Sequence, residues 1–503
     1  MFLRVYRISD LTTWEGDQGS DLLVAQHILH GHLHMLVGPP LNVTNFYTPP
    51  TYYYLLALFL LIVKTPLNVA LLFTGLNVAA GVFIFLLIEG LFDFATGLFS
   101  LVLFSISSIM IINARSVYQP YPVILFIAAS WYFLWDAYRK NNLKILVLSN
   151  SLFIVGASIY PAPWLLLPYF AVKSMQLLRR ESRNTKNWLV VVFADAVVGL
   201  IIYLPQIIFE VSHKYPMTRV LFRSVFGIPH GLSFISNYGV YSEQIILQFF
   251  NLDSALSPHQ TPFVTIALMS LFILMVILSY RAIRSLPPSL RRKHQTIWSF
   301  INPLLLCVCI VPVICYWENA FHRLNIYYPL LLIIFVACVN IAHINHSQLL
   351  RYVVIFLLCV YCFGALASYY TVLTSNTVSE YTETEVLSNA ILRDAKRRKL
   401  HNSFEIFYYT PYGYGDYNAP AIFYFLEQNS SYHPQFLSPY WADTSTVNIA
   451  TTAGAYLVCR YYENVRDMLS RCRDMFIQWN PKYRVTEEQI FPLEQLFILT
   501  KNG

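Results

Sequence analysis

Long apolar stretches recur along most of this 503-residue chain, and they restrict its fold more than any other feature. Charged residues make up only 12% of the sequence, against roughly 25% in a soluble globular chain. A helix needs about 20 apolar residues to cross a bilayer. Stretches near that length lie at 67–90, 95–112, 122–138, 143–160, 162–178, 187–206, 263–281, 297–316, 325–343 and 351–371. The pattern predicts an all-α polytopic membrane protein with about ten spans.

Basic residues between these stretches predict the orientation in the membrane. They cluster in alternate loops, at 138–144, 179–186 and 281–293, and basic loops favour the cytoplasmic side. Residues 51–63 are apolar but too short for a span, so a helix on the membrane surface is expected there. If residues 51–63 were a span, the N-terminal loop and the tail would lie on opposite sides, and the charge pattern of the loops would no longer agree with basic residues on the cytoplasmic side. The N-terminal loop and the C-terminal tail are therefore both expected outside the cytoplasm, in a multi-pass protein of the cell inner (plasma) membrane.

The sequence divides into three predicted parts. Residues 1–66 are an outer loop with surface helices, 67–371 are the transmembrane helical domain with an outer loop at 207–262, and 372–503 are a small soluble α/β domain facing outward. Cys459 and Cys472 lie in this last part, where an oxidising compartment would allow a disulfide. Residues 1–16 lack the continuous apolar core of a cleavable signal peptide. The net charge of +7 is distributed among loops, so no nucleic-acid partner is expected.

An acidic motif close to the N-terminus is the first functional candidate. The sequence GDQGSD at 16–21 places Asp17 and Asp21 four residues apart, on one face of a helix if one begins there. Gly31 would end that helix, and its apolar stripe, which includes Leu22 and Ala25, would suit a membrane surface. A carboxylate close to lipid is costly unless it is hydrated, paired or functional. Asp17 is therefore a candidate catalytic residue.

No metal site or cofactor is expected. Four histidines lie between His27 and His34, but their spacing is mixed and no paired carboxylates accompany them. A divalent cation has no supporting motif.

The order of several motifs resembles a known enzyme family. The first is GDQGSD…AQHILHG…GPP…YTPPTYYYLLALFL at 16–60, and NARSVYQP at 113–120, SIYP at 158–161 and YLPQIIFEVSH at 203–213 follow. Together they resemble the bacterial polyprenyl-phosphate-sugar glycosyltransferases of superfamily C, relatives of the dolichyl-phosphate-mannose protein mannosyltransferases and the aminoarabinose lipid A transferases. In this family an acidic residue of the first outer loop is essential, usually Asp followed by Glu. Here Gln18 follows Asp17, and Tyr160 stands where the family often has His.

The resemblance implies transfer of a sugar from a polyprenyl-phosphate carrier to an acceptor hydroxyl, with inversion. Asp17 would be the base that accepts the hydroxyl proton, and Arg115 or Arg323 would stabilise the leaving phosphate. The other predicted substrate-binding residues are Asp21, Tyr118, Glu210 and His213. The expected partners are the lipid-linked donor, the bilayer and a glycan, lipid or protein acceptor. The family normally has a span before the acidic loop, so a further span upstream of Met1 is one expectation.

Three other functions agree with parts of the sequence. A polysaccharide polymerase or ligase would use Arg and His in late outer loops, as at His322 and Arg323. A transporter of lipid-linked glycans would place ionisable groups inside the membrane and repeat its helices. A membrane scaffold that presents the tail would leave the ionisable residues of the outer loops without a role.

Overall fold

The computed structural model describes most of the chain. Outside the described residues lie 15, 32–33, 42–45, 182–184, 221–244, 253–259, 315–326, 346, 375–379, 401–403, 411–412, 415–420, 423, 427–453, 461–472, 475–476, 478–482, 492–493 and 502–503. Only the backbone is described for 181, 185–187, 302–314, 405, 407–410, 413–414, 454, 460, 494 and 501.

Helices account for most of the described residues. Four precede the first long span: α1 Phe2–Val5, α2 Ile8–Leu11, α3 Gly16–Leu29 and α4 Thr51–Ile62. The membrane part follows as α5 Pro66–Leu91, α6 Phe94–Ile106, α7 Ser108–Arg115, α8 Val123–Lys140, α9 Leu143–Ile159, a 3₁₀ turn at Ala162–Leu166, α10 Leu167–Glu181, α11 Thr185–Ser212, α12 Thr261–Ser285, α13 Pro288–Ile314, α14 Tyr327–Ile344 and α15 Gln348–Thr374. Helix α16, Glu380–Arg397, opens the tail domain.

The ten predicted stretches all fall in helical segments, but the count of ten spans is not confirmed. Five helices in the described part of the chain are long and apolar enough to cross a membrane, and a bent pair makes six. Of the four remaining stretches, 297–316 runs into residues whose side chains are not described, and the other three differ for physical reasons. Helix α9 has only 17 residues, α8 ends in charged residues, and residues 162–178 are a 3₁₀ turn followed by a 15-residue helix with a basic end. The protein is multi-pass, with fewer demonstrable spans than the sequence predicts.

The bent pair is α6 and α7, which meet at Ser107 at an angle of 62°. A helix leaves its last four carbonyl groups without partners, and apolar surroundings make that costly. Side chains from other parts of the chain donate to all four: Tyr361 and Tyr328 to Leu103 at 2.7 and 3.4 Å, Arg4 to Phe104 and Ser105 at 3.1 and 3.2 Å, and Tyr369 to Ile106 at 2.9 Å. Asn251 accepts from the Ser108 amide at 2.8 Å and caps α7. The break is thus built into the packing.

The segment between α3 and α4 folds back on itself. The Gly38 amide donates to the Thr48 carbonyl at 2.6 Å and the Thr48 amide to the Pro39 carbonyl at 3.1 Å, which closes a short hairpin. Glycine is required at position 38, because a Cβ there would lie 2.2 Å from the Pro49 carbonyl oxygen. Helix α4 has 12 residues, as expected for a non-spanning segment. It packs against α3, α5 and α9, so it is enclosed by protein on one side.

The tail domain is α/β, as predicted. Its five strands are β1 Phe404–Thr410, β2 Gly413–Tyr414, β3 Gly454–Arg460, β4 Tyr483–Ile490 and β5 Glu494–Lys501, in the order β2-β1-β3-β5-β4. Strands β1 and β3 are parallel, and the other pairs are antiparallel. Apolar side chains of α16, including Leu387 and Ile391, pack on one face of this sheet. Cys459 is disulfide-bonded, while Cys472 lies outside the described residues.

Candidate active site

The acidic motif forms the start of helix α3. The helix begins at Gly16 and ends at Leu29, and Gly31 adopts a left-handed backbone with φ of 71°, which glycine tolerates without strain. Asp17 lies in the first turn, where the positive end of the helix dipole favours a carboxylate. The sequence prediction of a helix that carries both carboxylates and ends near Gly31 is confirmed.

The two carboxylates lie in different surroundings. Asp17 is partly exposed, whereas only 6% of Asp21 is exposed. The Tyr53 hydroxyl donates a hydrogen bond to Asp21. Burial, together with the nearby Asp17 charge, raises the pKa of Asp21 well above the usual aspartate range. The pair therefore combines a buried carboxyl that tends to keep its proton with a more exposed one that substrate can reach.

Tyr52 and Tyr118 lie near the two carboxylates. We call Asp17, Asp21, Tyr52, Tyr53 and Tyr118 the acidic cluster. Tyr52 is fully buried, and its hydroxyl has no hydrogen-bond partner among the described residues. Burial is the main cause that raises the pKa of Tyr52, and the nearby Asp21 and Tyr118 add to it. Tyr118 packs edge-on against Tyr121 at 5.4 Å between ring centroids. The structure thus brings Asp17, Asp21 and Tyr118, three of the predicted site residues, into one neighbourhood.

The apolar face of α3 is buried in protein, and this corrects the prediction that it lies on lipid. Leu22 and Ala25 have no exposed surface and belong to the main hydrophobic core. Helix α4 covers this face, with Tyr52 and Leu56 fully buried. The sequence pattern of an amphipathic surface helix is the same whether lipid or a neighbouring helix covers the apolar side. The enclosure makes α3 a rigid support for its two carboxylates.

Gln119 connects the segments that carry three of the sequence motifs. Its side-chain amide donates to the Thr48 hydroxyl at 2.8 Å and to the Ile159 carbonyl at 2.7 Å. Thr48 belongs to the first outer loop, Gln119 to the second, and Ile159 directly precedes Tyr160, which is also buried. Gln119 lies 71 residues after Thr48 and 40 residues before Ile159, and the three segments meet at this buried amide.

Arg115 is held by the N-terminal segment. Its guanidinium donates to the Leu3 carbonyl at 2.6 Å and to the Arg4 carbonyl at 3.4 Å, at the end of α1, and 4% of the residue is exposed. The predicted role in phosphate binding stays a prediction. In this arrangement Arg115 fixes the segment before the acidic helix.

The observed contacts of Glu210 and His213 do not involve the acidic cluster. The Glu210 carboxylate accepts from the Met217 and Thr218 amides at 2.8 and 3.0 Å, so it caps the helical turn at 216–220. The exposed His213 ring stacks on Phe209 at 4.1 Å. The first outer loop reaches this region, because Gln206 donates to the Tyr47 carbonyl at 2.9 Å. A substrate role for both residues stays a prediction, while the observed contacts of Glu210 are structural.

Two predicted features cannot be placed. Arg323 and the neighbouring His322 lie outside the described residues, and so does His32 of the histidine cluster. Among the residues that the structure describes, no group of three or more His, Cys, Asp or Glu side chains is arranged to hold a metal ion.

Some residues near the site were missed by sequence reasoning. Neither Tyr53, the hydrogen-bond partner of Asp21, nor Trp14 is among the predicted site residues. In the membrane part, Asp195 of α11 accepts a hydrogen bond from the Asn150 amide of α9 at 2.7 Å, and it too is absent from the predicted site residues. The hydropathy of α11 concealed it, since one carboxylate barely changes the average over 25 residues. Its hydrogen bond to Asn150 joins α11 to α9.

Comparisons with known proteins found a match only among solved structures. No family model and no curated protein matches the sequence. The match to ArnT from Cupriavidus metallidurans in the apo state covers 99% of this chain and 96% of the ArnT chain, with 10% sequence identity and a TM-score of 0.44. The Archaeoglobus fulgidus oligosaccharyltransferase, in complex with zinc and sulfate, covers 90% of this chain, with 11% identity and a TM-score of 0.45. This chain spans 64% of that protein.

At such low identities and TM-scores, neither structure assigns residue roles or an activity to this chain. The residues of the acidic cluster have to carry the functional argument.

Proposed function

We propose that this protein is a membrane-embedded glycosyltransferase that moves a sugar from a polyprenyl-phosphate carrier to an acceptor hydroxyl, with inversion. The observation that carries the proposal is the pair Asp17 and Asp21 at the start of α3. One carboxyl is fully buried and bonded to Tyr53, and the other is partly exposed. The motif order resembling superfamily C supplies the reaction class.

Asp17 would accept the proton of the acceptor hydroxyl as it attacks the anomeric carbon. A general base has to reach its substrate, and Asp17 is the more accessible of the two carboxylates. Two adjacent carboxylates resist ionising together. A proton on the buried Asp21 therefore leaves the negative charge of the pair on Asp17, where the reaction requires it.

The lipid phosphate that leaves requires fixed positive charge or hydrogen-bond donors. Arg115 fits this need because a guanidinium keeps its charge and grips phosphate with two donors, and Arg323 is the second candidate. The α1 carbonyls use two of the Arg115 donors, so phosphate would bind at the others or displace α1. Tyr118 and the unpartnered Tyr52 hydroxyl would orient sugar or acceptor hydroxyls in the acidic cluster. No cofactor is required by this scheme.

The surroundings of the reaction follow from the sequence. We infer that the first outer loop and the tail face outward from the plasma membrane, where the acceptor is a glycan, a lipid or a protein. The alternative of a polymerase or ligase rests on His322 and Arg323. The transport alternative gains one intramembrane carboxylate, Asp195, whose observed contact is the one with Asn150.

The test compares three Asp→Asn variants in isolated membranes. Sugar transfer from a radiolabelled polyprenyl-phosphate sugar is measured for Asp17→Asn, Asp21→Asn and Asp10→Asn. Loss of the base should lower transfer by about 10²- to 10⁴-fold in Asp17→Asn. Asp21→Asn should retain most activity, since an amide imitates the protonated carboxyl. Asp10, an exposed partner of Arg7, is the matched control. Transfer at the wild-type rate in Asp17→Asn would exclude Asp17 as the base.

A further inference from the structure

Trp14 joins the N-terminal segment to the tail domain. Only 1% of it is exposed, and its ring contacts three aromatic rings of the tail. The centroid distances are 5.8 Å to Tyr381, 5.7 Å to Tyr424 and 5.5 Å to Phe425. The first two contacts are edge-to-face, and all three distances lie within the range of favourable aromatic pairs. We call these four rings the aromatic clamp.

The tail residues of the clamp belong to the core of the membrane part. Tyr381, Tyr424 and Phe425 pack in the main hydrophobic cluster, while Ile422 and Leu426 pack in the core of the tail sheet. The Tyr424 hydroxyl also donates to the Lys64 carbonyl at 3.4 Å, just before α5. The described residues 421–422 and 424–426 therefore divide between the two cores, and the tail domain is joined to the membrane part at this point.

The residues just before Trp14 are fixed from the opposite direction. The Thr13 hydroxyl donates to the Ser116 hydroxyl at 2.8 Å, and the Thr12 hydroxyl contacts the Arg115 carbonyl oxygen at 3.2 Å. The chain that enters α3 is thus held between the membrane helices and the tail. Asp17 follows Trp14 by three residues, in the first turn of α3. First turns have few hydrogen bonds of their own and fray readily, so the flanking contacts determine their position.

We propose that the aromatic clamp of Trp14, Tyr381, Tyr424 and Phe425 positions Asp17, which makes the tail domain a working part of the active site. The inference rests on the proposed function of Asp17. Trp14 acts through α3 and touches no substrate, so it is a positioning residue. A displacement of about 1 Å at a reacting group can cost on the order of 10²-fold in rate. Loosening the clamp would therefore reduce transfer while the carboxylate itself remains present.

The experiment measures the reactivity of Asp17 directly, without any sugar substrate. The full-length protein in detergent is treated with a water-soluble carbodiimide and a small amine, and modification of Asp17 is followed by mass spectrometry between pH 5 and 8. The variants Trp14→Ala, Trp14→Phe and Phe425→Ala are compared with the wild type. Trp298→Ala is the matched control, because Trp298 is equally buried and contacts Tyr280 in the membrane part.

We expect Trp14→Ala and Phe425→Ala to raise the modification rate of Asp17 by about tenfold as its helix turn opens more often. Trp14→Phe should restore most of the protection. Modification of the exposed Asp10 should be unchanged throughout, and Trp298→Ala should behave as the wild type. The double variant Trp14→Ala/Phe425→Ala should raise the rate by less than the product of the two single effects, since both single variants remove the contact between Trp14 and Phe425. The proposed clamp is wrong if the modification rate of Asp17 and its pH profile are unchanged in both Phe425→Ala and Trp14→Phe/Phe425→Ala. This outcome decides the question even if Trp14→Ala does not fold.

Transfer kinetics separate this inference from the function on which it rests. A positioning role predicts a kcat about 10²-fold lower in Phe425→Ala with KM changed little. If Asp17→Asn retained wild-type transfer, the proposed function would fail whatever the labelling showed. If Asp17→Asn abolished transfer and Phe425→Ala changed neither labelling nor kcat, the function would stand and the clamp would fail.

Discussion

Asp17 and Asp21 show at the residue scale how burial divides two chemically identical groups. They lie on one face of α3, yet Asp21 is enclosed by α4 and bonded to Tyr53 while Asp17 stays accessible. A buried carboxyl without a cation nearby is stabilised by keeping its proton. Asp21 should therefore act as a neutral hydrogen-bonding group at neutral pH, and its charge should not be needed for folding.

Asp21→Asn tests this assignment through the pH dependence of stability. Because the pKa of Asp21 is raised in the folded state, the folded chain binds the Asp21 proton more tightly than the unfolded chain does. Its contribution to stability is complete below about pH 4 and is lost as pH rises toward the folded pKa, by at most about 1.4 kcal/mol per unit. The Asn variant should gain stability relative to the wild type between pH 5 and 8. Thermal unfolding in detergent at both pH values provides the measurement.

Asp10→Asn supplies the control for this prediction. The Arg7 guanidinium lowers the pKa of Asp10, so the carboxylate is ionised in both folded and unfolded states above pH 5. Its difference from the wild type should be the same at pH 5 and pH 8. A constant difference for Asp21→Asn as well would mean that Asp21 is ionised in the folded protein.

The sequence predicted the helix that carries the two carboxylates, but not the long-range contacts around it. Asp17, Asp21 and Gly31 follow local rules of helix spacing and termination, and those rules held. Tyr53 as partner of Asp21 and Trp14 as part of the clamp depend on contacts between distant segments, which no local pattern encodes. Glu210 has a structural contact that the sequence did not indicate, since its carboxylate caps a helical turn, and its predicted substrate role stays a prediction.

The broken helix α6–α7 is the most informative feature at the element scale. Residues 95–112 have the hydropathy of one span, yet the helix turns by 62° at Ser107. Neither glycine nor proline marks the break in the sequence. The structure tolerates it because Arg4, Tyr361 and Tyr369 donate to the freed carbonyl groups. Hydropathy predicted where helices lie but not where they break, because the compensating donors come from remote parts of the chain.

Arg4→Met should destabilise the protein by removing the donors to two of these carbonyls. Each buried acceptor left unsatisfied costs about 1–3 kcal/mol, so a loss of roughly 3 kcal/mol is expected. Arg4→Lys should recover only part, because an ammonium lacks the planar fork that reaches Asn77, Phe104 and Ser105 together. The apparent Tm in detergent is the measurement.

Arg7→Met is the comparison for this change, since Arg7 forms only a partly exposed pair with Asp10. Such a pair contributes about 0–1 kcal/mol. If Arg4→Met and Arg7→Met shifted the Tm equally, the donors at the helix break would not contribute to stability.

Two observations at the scale of the whole molecule agree on its arrangement. The basic loops at 138–144, 179–186 and 281–293 favour one side of the membrane. The contacts of Trp14 with Tyr381 and Phe425 bring the N-terminal segment and the tail together, and the side of the membrane on which both lie stays a prediction. Contact between the two ends is an observation independent of charge, and it requires the N-terminal segment and the tail to share a side.

Reporter fusions test this arrangement. Alkaline phosphatase, which folds only in an oxidising compartment, should be active when fused after Lys399 in the tail and inactive when fused after Lys293 in a basic loop. A fluorescent protein that matures only in the cytoplasm should show the reverse at the same two positions. Phosphatase activity in the fusion after Lys293 would mean that the orientation in the membrane is opposite to the proposed one. Asp17 would then face the cytoplasm, where the carrier-linked sugar and the acceptor of the proposed reaction would both have to be presented.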